Sequence, residues 1–226
     1  MAFRENARSA ILGLTMSAQN SACPVTIETD RGDIEAVYHP VAGAVAAVIW
    51  VGGTDGGVMG PAEEIYPTLA ADLAMEGVAS LRLAFRILGS PGNLPEAVHD
   101  VQAGMRFLEG HGLRRVVLVG HSFGAAVVID AAPRSPEVAA VVTLAAQSPG
   151  TERAAQVSPR PLLLVHGMDD QRLPPWCSQD IYRRAREPKK LVLMPGARHS
   201  LRQCREELRR LLRSWIADQL TRTPGP

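Results

Sequence analysis

The chain has 226 residues, 46% of them hydrophobic and 21% charged. This length and composition are sufficient for a substantial hydrophobic core and exclude disorder as the main state. Its 24 basic and 23 acidic residues give a formal net charge of +1, which argues against a nucleic acid partner. Three cysteines at wide spacing fit neither a disulfide framework nor a metal knuckle. They favour a reducing compartment, so we expect a cytoplasmic location.

The N-terminal region begins with a charged stretch that needs separate consideration. Arg4 and Arg8 precede a short apolar run at residues 10–16, so a cleaved export signal is an alternative to an ordinary extension. No stretch of the sequence approaches the roughly 20 apolar residues of a membrane-spanning helix, and no membrane partner is expected. The predicted organisation is a poorly ordered N-terminal extension over residues 1–22, a single domain over 23–220 and a C-terminal tail over 221–226.

The first predicted elements are two strands. Polar and apolar residues alternate over residues 25–28 and 34–38, on either side of an Asp-Arg-Gly-Asp turn, which predicts an antiparallel pair. Further along the chain, short runs that are apolar throughout predict strands buried on both faces. These runs lie at residues 46–51, 78–83, 116–119, 138–144, 162–165 and 191–194.

Amphipathic segments separate these apolar runs. Apolar residues recur in them at spacings of three and four, which predicts helices. The alternation of strand and helix implies an α/β fold with a doubly wound, mostly parallel sheet and an antiparallel N-terminal hairpin. In such sheets ligands bind at the carboxyl ends of the strands. The predicted helices lie at residues 63–75, 95–109, 123–132, 178–186 and 202–220.

The most informative motif is Gly120-His-Ser-Phe-Gly124, which joins a predicted buried strand directly to a predicted helix. Gly-x-Ser-x-Gly in this context is typical of a nucleophile elbow. A turn this tight leaves no room for side chains two positions before and after the serine, so both positions need glycine. A serine in an ordinary loop or helix cap is the alternative interpretation. The motif makes Ser122 the candidate nucleophile.

Two later loops supply the partners that a serine nucleophile needs. A serine hydroxyl requires a base to take its proton and a carboxylate to orient that base. Asp170 follows one predicted strand and His199 follows the next, so both belong to the same edge of the sheet. His166, Asp170 and His199 could instead hold a metal ion, but a metal site would leave the elbow motif unexplained.

With these motifs the chain resembles the α/β-hydrolase superfamily, and within it the small lidless dienelactone-hydrolase-like esterases, over roughly residues 25–218. The family pattern His-Gly-x-x-Asp-x-x-Leu-Pro matches residues 166–174 and implies Asp170 as the acid, with Asp169 as the alternative. The family pattern Gly-Ala-x-His matches residues 196–199 and implies that its histidine is the base. The order serine, acid, histidine agrees with that of the superfamily.

Two departures from the family pattern bear on the substrate. Dienelactone hydrolases proper use a cysteine nucleophile, whereas this chain has Ser122. Lids in the superfamily usually follow the sixth strand, but only about 17 residues separate the sixth and seventh predicted strands here. The resemblance therefore implies an open, shallow site without a cap domain, better suited to small activated esters or thioesters than to buried lipid chains.

A glycine-rich loop, residues 52–57, follows the third predicted strand. It is the candidate source of an amide that binds the oxyanion of a tetrahedral intermediate, together with the Phe123 amide. Similar hydrolases carry His-Gly-x-Gly here, and this chain lacks the histidine, so the second donor is either Thr54, which we prefer, or Gly53. A phosphate-binding loop is the alternative, although the sequence has no Gly-Lys-Ser/Thr ending.

Several side chains near these loops are candidates for substrate binding. Apolar ones that follow strand ends could line an acyl pocket, with ordinary packing as the alternative. Arginines on the same edge could bind a carboxylate or phosphate, with solvated surface positions as the alternative. The candidates are Met59, Arg86, Leu173 and Trp176, with Phe85, Arg172 and Arg198 as further members.

The resulting prediction is a serine hydrolase that cleaves carboxylic esters or thioesters through an acyl-enzyme, with no cofactor. Its predicted partner is a small-molecule ester or thioester, and the oligomeric state is left open. Acyl transfer to an acceptor other than water, including peroxide, is an alternative on the same site. A catalytically silent member of the fold that binds a ligand or a partner is the alternative from another class.

Overall fold

The computed structural model describes residues 21–87 and 93–221. Most of the predicted N-terminal extension, the alternative export signal and nearly all of the predicted tail lie outside the described residues. The described strands are β1 Cys23–Ile27, β2 Ile34–His39, β3 Ala46–Val51, β4 Ala79–Leu83, β5 Arg115–His121, β6 Val138–Leu144, β7 Leu162–Gly167 and β8 Lys189–Met194. The described α-helices are α1 Pro61–Ala74, α2 Leu94–Gly110, α3 Phe123–Ala131, α4 Trp176–Arg184 and α5 Arg205–Thr221.

The eight strands form one sheet in the order β1-β2-β4-β3-β5-β6-β7-β8. Strand β2 is antiparallel to both β1 and β4, and every other neighbouring pair is parallel. The prediction of a mostly parallel α/β sheet with antiparallel N-terminal strands is therefore confirmed.

Helices cover both faces of this sheet. Helices α2, α3 and α4 pack on one face, where Ile49 of β3 points, and helices α1 and α5 pack on the other, where Val48 and Trp50 point. Because successive residues of a central strand face opposite helical layers, the strand sequence is apolar throughout. Each fully buried aliphatic side chain of this kind contributes about 1.5–3 kcal/mol to folding.

The connection between β6 and β7 is short. Between β6 and β7 the chain forms a short 3-10 helix, Glu152–Gln156, and the described residues contain no separate cap domain. The expectation of a lidless fold is therefore confirmed. None of the helices in the described ranges combines the length and apolarity that crossing a bilayer requires.

Helix α1 opens with a left-handed turn that its sequence does not signal. Ala62, Glu63 and Glu64 have φ angles of 51°, 55° and 64°, although none of them is glycine or asparagine. Contacts from outside the helix hold the turn. The Ala62 amide donates to the Ser200 carbonyl over 2.7 Å, and the Arg205 side chain donates to the Ala62 carbonyl over 2.9 Å.

Candidate active site

Ser122 stands at the sharp turn between β5 and α3. Its backbone has φ 55° and ψ −116°, a conformation that is strained for a residue with a Cβ. The Ser122 amide donates to the Leu144 carbonyl at the end of β6 over 2.8 Å, which anchors the turn to the neighbouring strand. The geometry presents the hydroxyl at the carboxyl edge of the sheet.

The two glycines of the elbow motif are required by close backbone approach. A Cβ on Gly120 would lie 2.1 Å from the Gly124 carbonyl oxygen, and a Cβ on Gly124 would lie 2.2 Å from the Gly52 carbonyl oxygen. Both distances are far below van der Waals contact. The second contact also brings the glycine-rich loop after β3 against the start of α3.

We expect Gly124→Ala to lower the free energy of unfolding by about 3 kcal/mol or more, because the new methyl group meets fixed backbone atoms. Gly110→Ala is a matched control, since a Cβ at Gly110 has no atom within 4 Å. The control should change stability by less than about 1 kcal/mol. Urea denaturation followed by circular dichroism measures both values, and equal stability of the two variants would contradict the packing argument.

The structure brings Ser122, His199 and Asp170 together from three loops. Ser122 Oγ lies 3.2 Å from His199 Nε2, and His199 Nδ1 lies 2.8 Å from Asp170 Oδ2. Because a carboxylate only accepts, His199 Nδ1 carries a proton and Nε2 is left to accept from the Ser122 hydroxyl. This arrangement can remove a proton from the serine and keep the resulting imidazolium beside a negative charge.

Asp170 is buried, and its carboxylate accepts hydrogen bonds from protein groups. Its Oδ1 accepts from the Arg172 and Leu173 amides, each over 2.9 Å. Burial alone raises the pKa of Asp170, but these amides and the His199 imidazole outweigh it and hold the pKa below its usual value. Asp169 is exposed, and the structure pairs His199 with Asp170 and not with Asp169.

A second imidazole, that of His166, lies fully buried behind Asp170. His166 Nε2 is 2.7 Å from the Leu173 carbonyl oxygen and 3.2 Å from Asp170 Oδ2, while Nδ1 is 2.7 Å from Ser178 Oγ. Since both neighbours of Nε2 are acceptors, Nε2 carries the proton and the Ser178 hydroxyl donates to Nδ1. Burial lowers the pKa of His166. His166 is therefore a neutral donor that orders the acid loop.

The alternative of a metal site at these residues has no geometric support. Within residues 21–87 and 93–221, no group of three or more histidine, cysteine, aspartate or glutamate side chains has an arrangement that could hold a metal ion. The side chains of this alternative, His166, Asp170 and His199, instead form polar contacts with one another and with the backbone of the acid loop.

His121 is a neighbour of the base that the sequence patterns did not single out. Its Nε2 lies 3.1 Å from the His199 carbonyl oxygen, and the two imidazole rings are 5.0 Å apart between centroids. Burial is the main cause that lowers the pKa of His121 to about 4. The only signal in the sequence is its position beside the nucleophile, which does not by itself indicate where the ring points.

The glycine-rich loop after β3 folds into a tight turn beside the nucleophile. Gly53 and Gly56 pair as an isolated bridge, and the Gly56 amide donates to the Gly53 carbonyl over 3.0 Å. This hydrogen bond leaves the Thr54 amide, at the second position of the turn, unused by the turn. A Cβ on Gly53 would lie 3.8 Å from Ser122 Oγ, so the loop approaches the nucleophile closely.

A cleft of about 330 Å³ lies over the nucleophile. The glycine-rich loop, His199 and Arg172 all contribute to its lining. Arg172 is exposed. Of the predicted site residues, the cleft lining includes Gly53, Thr54, Met59, Ser122, Arg172 and His199.

Arg86, predicted to bind substrate, does not line this cleft. Its guanidinium bonds to Asp100 and lies 2.9 Å from Glu96 Oε2, and the side chain is only 8% exposed. The carboxylates of α2 therefore already neutralise this arginine. We do not retain Arg86 as a substrate-binding residue.

Leu173 and Trp176 also lie outside the cleft lining. The backbone of Leu173 bonds to Asp170 and His166, so its place in the structure is within the acid loop. Trp176 begins α4 and is 58% exposed. Phe85 packs against Phe123 in the core, with ring centroids 5.8 Å apart. The acyl-binding role predicted for these side chains therefore has no support from the geometry.

A larger groove, of about 710 Å³, lies at the amino edge of the sheet, far from Ser122 along the strands. Its cationic lining is largely occupied by internal contacts. Arg115 donates to the Gln219 carbonyl, Arg160 to the Val138 carbonyl and Lys189 to the Tyr182 carbonyl. These side chains secure the starts of strands and the ends of helices, and the groove contains no nucleophile or base comparable with those of the cleft.

Comparison with known proteins agrees with the fold. A family model described as the dienelactone hydrolase family matches residues 62–211. The chain belongs to the dienelactone hydrolase family. The matched region begins in α1, ends in α5 and contains Ser122, Asp170 and His199.

Individual proteins similar to this family member match it over part of their length or at low sequence identity. The uncharacterized protein YfhR of Escherichia coli (strain K12) is 33% identical over 109 residues, which cover 38% of each chain. The chain thus matches well under two thirds of that relative's length. Est1E from Butyrivibrio proteoclasticus superposes with a TM-score of 0.76 at 18% identity, covering 89% of this chain and 100% of Est1E. An α/β serine hydrolase homologue from Coxiella burnetii superposes with a TM-score of 0.72 at 25% identity, covering 86% and 97% of the two chains.

Proposed function

We propose that this protein is a serine hydrolase that cleaves carboxylic esters or thioesters through an acyl-enzyme intermediate. The observation that carries the proposal is the chain of hydrogen bonds from Ser122 through His199 to Asp170, at 3.2 Å and 2.8 Å. Membership of the dienelactone hydrolase family supports it. The description of the Coxiella burnetii neighbour as a serine hydrolase homologue agrees with the use of serine at position 122.

Acylation begins with proton transfer from Ser122 to His199 Nε2. As the Ser122 Oγ–carbon bond forms, the carbonyl oxygen of the substrate becomes an oxyanion and the imidazole becomes an imidazolium. Asp170 remains ionised and stabilises that imidazolium through Nδ1. When the intermediate collapses, His199 returns its proton to the leaving alkoxide or thiolate, and the acyl group stays on Ser122.

The oxyanion needs hydrogen-bond donors that are already in place. The Phe123 amide is at the first position of α3, where no helical carbonyl accepts it. The Thr54 amide is the second donor that the turn at Gly53–Gly56 favours. Loss of one such donor typically costs about 10²–10³ in kcat, so the close packing of this loop on the elbow matters for the rate.

Deacylation repeats the same steps with water as the nucleophile. His199 removes a proton from the water, the new oxygen–carbon bond forms, and Ser122 leaves with the proton that His199 returns. Release of the carboxylic acid restores the starting state. All of this chemistry is carried by side chains and backbone amides, and it requires no cofactor.

The size of the cleft favours small substrates. A volume of about 330 Å³ is at the lower end for ligand pockets, and the described residues place no cap over it. Exposed Arg172 and the glycine-rich loop make the walls polar. Short-chain esters and thioesters with good leaving groups suit this site better than long lipid chains.

A fluorophosphonate probe tests the proposal because it reacts with activated serines. We expect one covalent adduct on the unmodified protein and on Ser214→Ala, whose serine lies exposed on α5, but none on Ser122→Ala. Mass spectrometry locates the adduct, and a panel of p-nitrophenyl esters and acyl-CoA thioesters then defines the substrate. A folded, unmodified protein that takes up no probe would overturn the proposal.

A further inference from the structure

His121 lies beside the base, and the proposed mechanism leaves the function of its side chain open. It is the last residue of β5, directly before the nucleophile, and it lines the cleft. Its ring faces the His199 ring at 5.0 Å between centroids, with an angle of 45° between the planes. This contact therefore connects the residue that precedes Ser122 with the base, His199.

The hydrogen bond at Nε2 determines the protonation state of His121. The partner of Nε2 is the His199 carbonyl oxygen at 3.1 Å, and a carbonyl only accepts, so Nε2 carries the proton. Burial lowers the pKa of His121 to about 4, which keeps the ring neutral at ordinary working pH. Nδ1 is therefore unprotonated, and the ring adds no second positive charge beside His199.

The base needs such a contact because its loop and the elbow belong to different strands. The elbow is tied to β6 through the Ser122 amide and the Leu144 carbonyl. The loop that carries His199 is tied to α1 through the Ser200 carbonyl and the Ala62 amide. The bond from His121 to His199 links these two anchored segments directly, at the point where an error of 1 Å would lengthen the Ser122–His199 hydrogen bond.

We propose that His121 is a positioning residue that holds the backbone of His199 against the nucleophile elbow and thereby sets the distance between Ser122 Oγ and His199 Nε2. The inference rests on the proposed function, which assigns the proton transfer to His199. It gives the His121 imidazole one contribution, the hydrogen bond that its Nε2 donates to the His199 carbonyl. The ring does not exchange protons with the substrate.

Two substitutions separate this hydrogen bond from the space that the ring fills. His121→Gln keeps an amide N–H at about the reach of Nε2, whereas His121→Met has a similar length and no donor. We expect His121→Met to lower kcat about tenfold with KM within about twofold, and His121→Gln to stay within about threefold of the parent. His111→Met is the control, because His111 also bonds to a backbone carbonyl but lies exposed at the end of α2.

Proton NMR of the resting protein provides a readout that needs no substrate. The His199 Nδ1 proton, bonded to Asp170 over 2.8 Å, should give a downfield signal that is absent in His199→Gln. We expect that signal to shift or broaden in His121→Met and to persist in His121→Gln and His111→Met. Equal behaviour of the two His121 variants in folded protein, by NMR or by kcat, would overturn the positioning role. A parent that takes up no fluorophosphonate probe would refute the hydrolase proposal separately, and the NMR comparison would still decide the role of His121.

Discussion

Replacement of His199 by alanine is expected to lower kcat/KM for an ester substrate by about 10⁴-fold or more. His199 Nε2, 3.2 Å from Ser122 Oγ, is the base for the serine proton and later the acid for the leaving group. Asp170 cannot take over this role, because two backbone amides occupy one of its oxygens and its pKa lies below the usual value. Steady-state kinetics on p-nitrophenyl acetate measures the loss.

The lower activity of His199→Ala should result from the missing base and not from unfolding of the protein. The His199 side chain is 16% exposed at the wall of an open cleft, so its removal leaves no sealed cavity in the core. The melting temperature should stay within about 4 °C of the parent, equivalent to about 1–2 kcal/mol. Added imidazole should recover part of the rate by entering the vacated space. A His199→Ala variant that keeps more than about a tenth of the parental activity would require another base.

The sheet was predictable because its central strands carry a strong local signal. Strands β3 and β6 begin and end at the predicted residues, since β3 is apolar throughout and β6 contains one polar residue, Thr143. Strand β8 begins two residues earlier than predicted, at Lys189, because a polar side chain at a strand start can remain near solvent while its backbone pairs. Hydrophobic pattern therefore locates strands better than it locates their ends.

The arrangement of the candidate nucleophile, base and acid was also predictable, for steric and topological reasons. The two glycines of the elbow motif are required by close backbone contacts, since side chains at Gly120 or Gly124 would overlap main-chain oxygens. Loops after parallel strands meet at one edge, which is why Asp170 and His199 could be paired with Ser122 across long sequence separations. The choice of Asp170 over Asp169 needed the family resemblance, because adjacent aspartates in a loop carry no periodic signal.

Other features depend on contacts that no local pattern encodes. Arg86 is neutralised by Asp100 and Glu96, which lie on α2. The left-handed turn at the start of α1 is held by distant Arg205, and nothing in an Ala-Glu-Glu sequence predicts it. Such features arise from contacts between different elements of the fold, which a local sequence pattern does not contain.

The second large effect is expected for Asp170→Asn, which should lower kcat by about 10³–10⁴-fold. Asp170 Oδ1 accepts from the Arg172 and Leu173 amides, so the carbonyl oxygen of an asparagine would take that position and its NH2 group would face His199. His199 Nδ1 would then accept, and Nε2 would carry the proton in the neutral ring. In that tautomer the imidazole cannot receive a proton from Ser122, although all three side chains remain in place.

The neighbouring residue provides the matched control for this argument. Asp169 is exposed, and Asp169→Asn removes the same charge one position away without changing the partner of His199. It should keep kcat within about threefold of the parent, since an exposed charge interacts weakly through solvent. Nitrogen-15 NMR of the histidine side chains reports the tautomer directly. A proton that stays on His199 Nδ1 in Asp170→Asn, or an equal loss of activity in both variants, would contradict the assignment of Asp170 as the residue that orients the base.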